Sequence, residues 1–142
     1  MNVEEMLQRE DQAWSGLVEA FDLIPDERRD VQGVVPGWST KDLVWHCGYW
    51  AGYVADVFER ALRGEGLPPD QDWDAVNDMV IVEGRSMTWD QIIVRSEEHR
   101  ARVRTSLQAL PEVTADLAEE FSGETYEHYE EHAAEIRAFA AA

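Results

Sequence analysis

Residues 36–50 read PGWSTKDLVWHCGYW, and this stretch decides the architecture. Ser39 stands where a helix N-cap belongs, Asp42 follows three residues later, and Trp38 and Leu43 occupy the two positions of a hydrophobic staple. A helix therefore starts here. Trp50, Val54, Val57 and Leu62 carry its apolar stripe onward, until RGEGLPPD (63–70) supplies Gly64 as a stop and two prolines behind it.

The same grammar recurs on either side. Asn2 precedes Glu5, Met1 and Met6 fill the staple positions, and Met6, Leu7, Trp14, Leu17, Val18 and Phe21 recur at helical spacing. That first helix is predicted to end near Asp22, before Pro25. MTWDQII (87–93) offers Thr88 as N-cap, Gln91 as its partner, and Met87 opposite Ile92. The third helix is predicted to run to about Leu110, stopped by Pro111, with Ile92, Ile93, Val103, Leu107 and Leu110 facing inward. A polar link follows, and a fourth helix begins between Ser122 and Thr125 and continues to the C-terminus. The connector at 65–87 has no long periodic pattern. A short helical turn around Trp73 to Val80 fits it, and MVIV (79–82) fits an extended segment as well. There is no internal repeat, low-complexity tract or alternating hairpin pattern. Helices with one apolar stripe each bury those stripes against one another, so the expected fold is all-α, a four-helix bundle in one domain over residues 1–142.

Bulk properties exclude several functions. The formal net charge of -18, from 30 acidic and 12 basic residues, repels phosphate backbones and anionic lipid, so neither nucleic acid nor membrane is an expected partner. No apolar run approaches the roughly 18 residues needed to cross a bilayer. Cys47 is the single cysteine, so no intramolecular disulfide forms, and MNVEEMLQRE (1–10) lacks the features of a signal peptide. We expect a cytoplasmic protein.

Two of the four histidines, His128 and His132, stand four apart in TYEHYEEHAAEIRAF (125–139). On a helix this spacing leaves an offset of about 40° and a rise of about 6 Å, so both rings project from one face and can reach one ion. An acidic surface helix that happens to carry two histidines has the same spacing. HYEEH is not H-E-x-x-H, because Tyr129 takes the place of the general base. It does fit H-x-x-E-H through Glu131, but only ten residues follow His132, too few for the rest of such a peptidase. A di-iron bundle needs Glu three residues before His; Leu43, Ser96, Thr125 and Tyr129 stand there instead. His46 lies among Leu43, Trp50, Val54 and Val57, which places it near the core, either as a hydrogen-bonded core histidine or as a third ligand.

PGWSTKDLVWHCGYW, the connector WDAVND (73–78) and TYEHYEEHAAEI (125–136) together resemble the DinB-like superfamily, which includes bacterial thiol-dependent transferases and the metal-binding domain of mycothiol-dependent maleylpyruvate isomerases. The resemblance covers most of the chain. It implies a four-helix bundle of up-down-down-up topology with a long connector between helices 2 and 3, and a metal site at His46, His128 and His132. Three imidazoles leave coordination positions open, as catalytic sites do, with zinc the first expectation and nickel or iron as alternatives. The resemblance also implies a low-molecular-weight thiol as cosubstrate, a small electrophilic substrate, and a homodimer as a possible assembly. No side chain is nominated as a catalytic base.

Other residues are read more plainly. Trp50 and Tyr53 share the face of His46 and can wall a substrate pocket, although core filling explains them equally well. Cys47 points about 100° away from its neighbour and reads as a small buried residue. His99 reads as a packing or hydrogen-bonding histidine. Glu131 and Glu135 stand where they can support imidazole nitrogens, and Trp38 and Asp42 read as structural. The leading function is a metal-dependent thiol transferase or related enzyme. The alternatives are a non-catalytic, ligand-binding or stress-associated dimeric bundle, and a hydrolase-like resistance protein acting on a small molecule.

Overall fold

The computed structural model describes residues 1–142. In chain order it comprises α1 (Val3–Asp22), a single 3-10 turn, a hairpin of β1 (Gln32–Val35) and β2 (Trp38–Ser39), then α2 (Thr40–Leu62), α3 (Trp73–Arg85), α4 (Trp89–Ala109), α5 (Ala115–Glu124) and α6 (Tyr126–Ala141). The reciprocal caps read from the sequence all form. The Ser39 hydroxyl accepts from the Asp42 N–H at 3.1 Å while the Asp42 carboxylate accepts from the Ser39 N–H at 2.9 Å. Asn2 with Glu5, and Thr88 with Gln91, close the same box at the starts of α1 and α4. Each cap satisfies backbone donors that the first helical turn leaves orphaned.

Side-chain pairings give the helix directions. Along α2 and α4, Gly48 meets Ser96 and His99, and further on Asp56 and Glu59 meet Arg102, so the two helices run parallel. Along α1 and α6, Arg9 meets Glu130 and Gly16 meets Arg137, again parallel. Between α1 and α4 the order reverses: Leu7 meets Arg104, while Phe21 meets Trp89. The bundle of α1, α2, α4 and α6 is thus up-down-down-up, and the chain between α2 and α4 returns along the bundle to restart in the same direction. The close α2–α4 approach requires glycine. A Cβ on Gly48 would lie 2.1 Å from the Ser96 hydroxyl, and one on Gly52 would lie 2.6 Å from the His99 ring.

Four local expectations need correction. The connector at 65–87 contains a regular helix, α3, of 13 residues with Asp72 as its cap, and MVIV is helical within it. The polar link before the last helix contains α5, capped by Thr114, whose Leu117 and Phe121 are buried one turn apart. Residues 32–39 form a small antiparallel hairpin pairing Gln32 with Ser39 and Val35 with Trp38. Its turn places Pro36 before Gly37 at φ 82, a conformation that favours glycine. Leu62, at the end of the α2 stripe, is exposed, whereas Ile93 and Leu110 are partly buried and pack against the core as expected. The fully buried core gathers Leu17, Leu43, Val54, Phe58, Ile92, Val103, Leu107, Phe121, Tyr129 and Ile136 from five helices.

One buried group was not anticipated. Glu10 of α1 is 0% exposed, and its carboxylate accepts from Arg100 at 2.6 and 2.8 Å, from Arg104 at 2.9 Å and from the Tyr129 hydroxyl at 3.2 Å. Arg100 also stands 4.9 Å from the Trp14 ring centroid. This network ties α1, α4 and α6 together. No helix of the chain is long and apolar enough to cross a membrane.

Candidate metal centre

His46 comes from the second turn of α2, and His128 and His132 come from successive turns of α6. The packing of α2 beside α6 brings all three rings together, with centroids 4.7 Å apart for His46 and His128, 5.4 Å for His46 and His132, and 4.7 Å for His128 and His132. One nitrogen of each lies within 4.8 Å of the others, an arrangement that could hold a metal ion. The rings are 8–9% exposed. The Nδ1 atoms of His46 and His128 are buried with no hydrogen-bond partner. His132 Nδ1 faces the Glu135 carboxylate, one turn on, which leaves Nε2 as its free donor atom.

Electrostatics keep lone pairs available. Burial pushes His46 down to about 2, and His128 and His132 add repulsion. Burial, then His132, pushes His128 down to about 3. Both rings are therefore neutral near pH 7, the state that binds a cation. Clustered imidazoles with unpartnered buried nitrogens fit a divalent ion better than they fit a core, where buried polar atoms are normally paired.

A cavity of about 450 Å³ opens beside the cluster, lined by His46 and His128 together with Trp50, Tyr53 and Trp73, the carboxylates Glu120, Glu124 and Glu131, and Asn77 and Gly123. The Trp50 indole donates to Asn77 Oδ1 at 3.0 Å, fixing the ring. Burial, with repulsion from Glu120 and Glu131, raises Glu124 to about 7.

The residues singled out in sequence fall as follows. His46, His128 and His132 converge, and Trp50 and Tyr53 line the adjoining cavity. Glu135 does contact an imidazole, whereas Glu131 makes no hydrogen bond to one and lines the cavity instead. His99 is a packing residue whose Nδ1 lies 2.9 Å from the Gly48 carbonyl oxygen. Cys47 is fully buried, and burial pushes its thiol up. Asp42 completes its cap and also pairs with Arg85 at 3.1 Å. Trp38, read as structural, packs edge-on against His46 with centroids 4.9 Å apart. Trp73, Asn77, Glu120 and Glu124 were missed, because they belong to α3 and α5. The available signals were the Asp72 and Thr114 caps ahead of WDAVND and ADLAEEF.

The fold resembles an uncharacterised protein from Escherichia coli UTI89, with a TM-score of 0.80 and 16% identity over 99% of this chain and 93% of that one. It also resembles a mycothiol-dependent maleylpyruvate isomerase, with a TM-score of 0.79 and 18% identity over 96% of this chain. The match spans 61% of the isomerase chain. A comparison with curated proteins finds no match. The family model of the DinB superfamily matches residues 10–141, and the chain belongs to that superfamily.

Proposed function

We propose that residues 1–142 form one domain that acts as a metal-dependent enzyme, setting a small nucleophile, in the first instance a low-molecular-weight thiol, against a small electrophilic substrate. The observation that carries this reading is the convergence of His46, His128 and His132, with buried unpartnered nitrogens, at the edge of a cavity large enough for a small molecule. A divalent ion there, zinc first and nickel or iron as alternatives, supplies Lewis acidity and lowers the pKa of a thiol or water that reaches it.

The chain's own residues do the positioning. Glu135 accepts from His132 Nδ1–H, which fixes the tautomer and directs Nε2 inward. Trp38 packs against His46 and limits its rotation. Trp50 and Tyr53 present apolar surface that excludes water and orients a substrate beside the histidines. The mycothiol dependence of the isomerase with the same fold supports a thiol as the nucleophile. The isomerase reaction itself is not carried over, because the chain spans 61% of that protein.

Elemental analysis tests the reading. Purified protein supplemented with zinc, nickel or ferrous iron is expected to hold about one ion per chain, and His128→Ala is expected to hold none. Failure of all three ions to bind would sink it. Consumption of a thiol in the presence of a model electrophile, lost in the same variant, is the separate test of the transfer chemistry.

A further inference from the structure

We propose that Arg85, at the C-terminal end of α3, is a positioning residue for His46: it ties down the hairpin turn and, through Trp38, fixes the angle of the imidazole. The inference deepens the function proposed above and rests on its assignment of His46 as a ligand. The rings of the triad are held unequally. Glu135 faces His132 Nδ1, whereas His46 Nδ1 is buried without a partner, so no hydrogen bond to that atom sets the His46 ring. Packing has to do it. Of the rings around His46, two are the other histidines, Trp50 lies 6.4 Å away between centroids, and Trp38 stands nearest of the tryptophans at 4.9 Å, edge-on.

Trp38 is only as fixed as the hairpin that carries it. That hairpin has two short strands with an irregular register between Gln32 and Val35, and such a pair is marginal without outside support. Arg85 supplies the support. Its Nη2 donates to the Gly37 carbonyl oxygen at 3.0 Å and to Asp42 Oδ2 at 3.1 Å, and its Nε reaches Asp42 Oδ1 at 3.4 Å. Asp42 Oδ2 also accepts from the Ser39 N–H at 2.9 Å. The residues before and after Trp38 are therefore both fastened to one guanidinium–carboxylate pair, whose acid is 4% exposed. The forked guanidinium reaches a carboxylate and a carbonyl together.

The test is a double-mutant cycle on zinc affinity per folded chain, read by competition with a chelator. Arg85→Met and Trp38→Leu are each expected to weaken zinc about 5- to 10-fold, and the double variant to lie within about twofold of Trp38→Leu alone, because Arg85 acts through that ring. Removing a positive charge by itself tightens cation binding, so a fall in Arg85→Met does not come from charge. Losses that multiply in the double variant, or an Arg85→Met affinity equal to or above that of the wild type, overturn the proposal; a merely structural ion pair predicts the second of these. A metal-free measurement separates this inference from the metal reading. In protein labelled at the histidine Cε1 atoms, the His46 NMR signal is expected to shift or broaden in Arg85→Met by more than that of His132, which Glu135 holds. An unchanged His46 signal overturns the positioning role whether or not metal binds. Failure of zinc, nickel and iron to bind, with the His46 signal still moved, removes the metal chemistry and leaves Arg85 as the residue that holds the ring.

Discussion

Two buried polar clusters meet on adjacent residues of α6. Tyr129 joins the Glu10 network, in which carboxylate, guanidinium and hydroxyl answer one another at 2.6 to 3.2 Å. His128 joins the triad, in which two of three rings keep a buried nitrogen without a partner. The first cluster is closed: opposite charges compensate and nothing further is needed. The second consists of three imidazoles, whose burial disfavours the protonated form and leaves lone pairs free for a metal cation. Burial alone does not separate structure from function in this molecule, since Glu10 is more deeply buried than any of the histidines. Satisfaction does. His46 and His128 line a cavity, and no residue of the network lines that cavity.

The largest effect should come from breaking the closed cluster. Glu10→Ala leaves Arg100 and Arg104 facing the core without their shared carboxylate. We expect a loss of about 3 kcal/mol in urea unfolding, the lower end for a broken buried pair, because Asp11 and Glu97 still contact Arg100. Metal bound per folded chain should not change. Replacing Glu10 and Arg100 together by leucine should restore part of the stability, since an apolar pair carries no uncompensated charge. A loss below about 1 kcal/mol in Glu10→Ala would remove the network as a clamp and collapse the contrast between the two clusters.

The converse experiment weakens the open cluster and spares the fold. Glu135→Gln removes the charge that holds the His132 tautomer while keeping shape and an acceptor oxygen. Metal affinity should fall about 10- to 100-fold, read by competition with a chelator, and the melting temperature of metal-free protein should stay the same. An unchanged affinity would show that the Glu135 contact has no part in orienting the ring.

The fold was legible where helix ends carried reciprocal side-chain signals. Ser39 with Asp42, and Thr88 with Gln91, placed α2 and α4 correctly because a capping box is local chemistry that needs no tertiary context. The shorter helices α3 and α5 have a single cap residue each and brief apolar patterns, so their stability comes from packing that the sequence does not display. The hairpin at 32–39 pairs only two short strands and leaves no alternation to read, although its Pro-Gly turn was visible. At the site, i, i+4 spacing made His128 and His132 a pair, but His46 joined them through the resemblance, since spacing alone left it either a core histidine or a third ligand. The acidic side of the cavity was hidden for a different reason. With 30 acidic residues in the chain, three that converge look like all the others until the fold places them together. Glu10 was invisible on the same ground.

Acid should separate the clusters by the smallest margin, and the sign follows from the direction of each shift. His46 and His128 titrate far below their unfolded value near 6.5, so unfolded chains bind more protons than folded ones as pH falls through that value, and stability is lost. Each of the two rings contributes at most about 1.4 kcal/mol per pH unit below this point. Glu124 acts in the opposite sense. Its carboxyl is raised to about 7, so the folded state takes up a proton first and gains stability on acidification. At 37% exposed its share is reduced by solvent screening. The net expectation for metal-free protein is a loss of about 1 to 2 kcal/mol between pH 6 and pH 5, deepening in Glu124→Gln, where the compensating proton has no place to bind. Thermal melts across this range measure it. A flat profile in both proteins would mean that the folded triad accepts protons as readily as the unfolded chain, and its rings would then be hydrated rather than held dry beside the core.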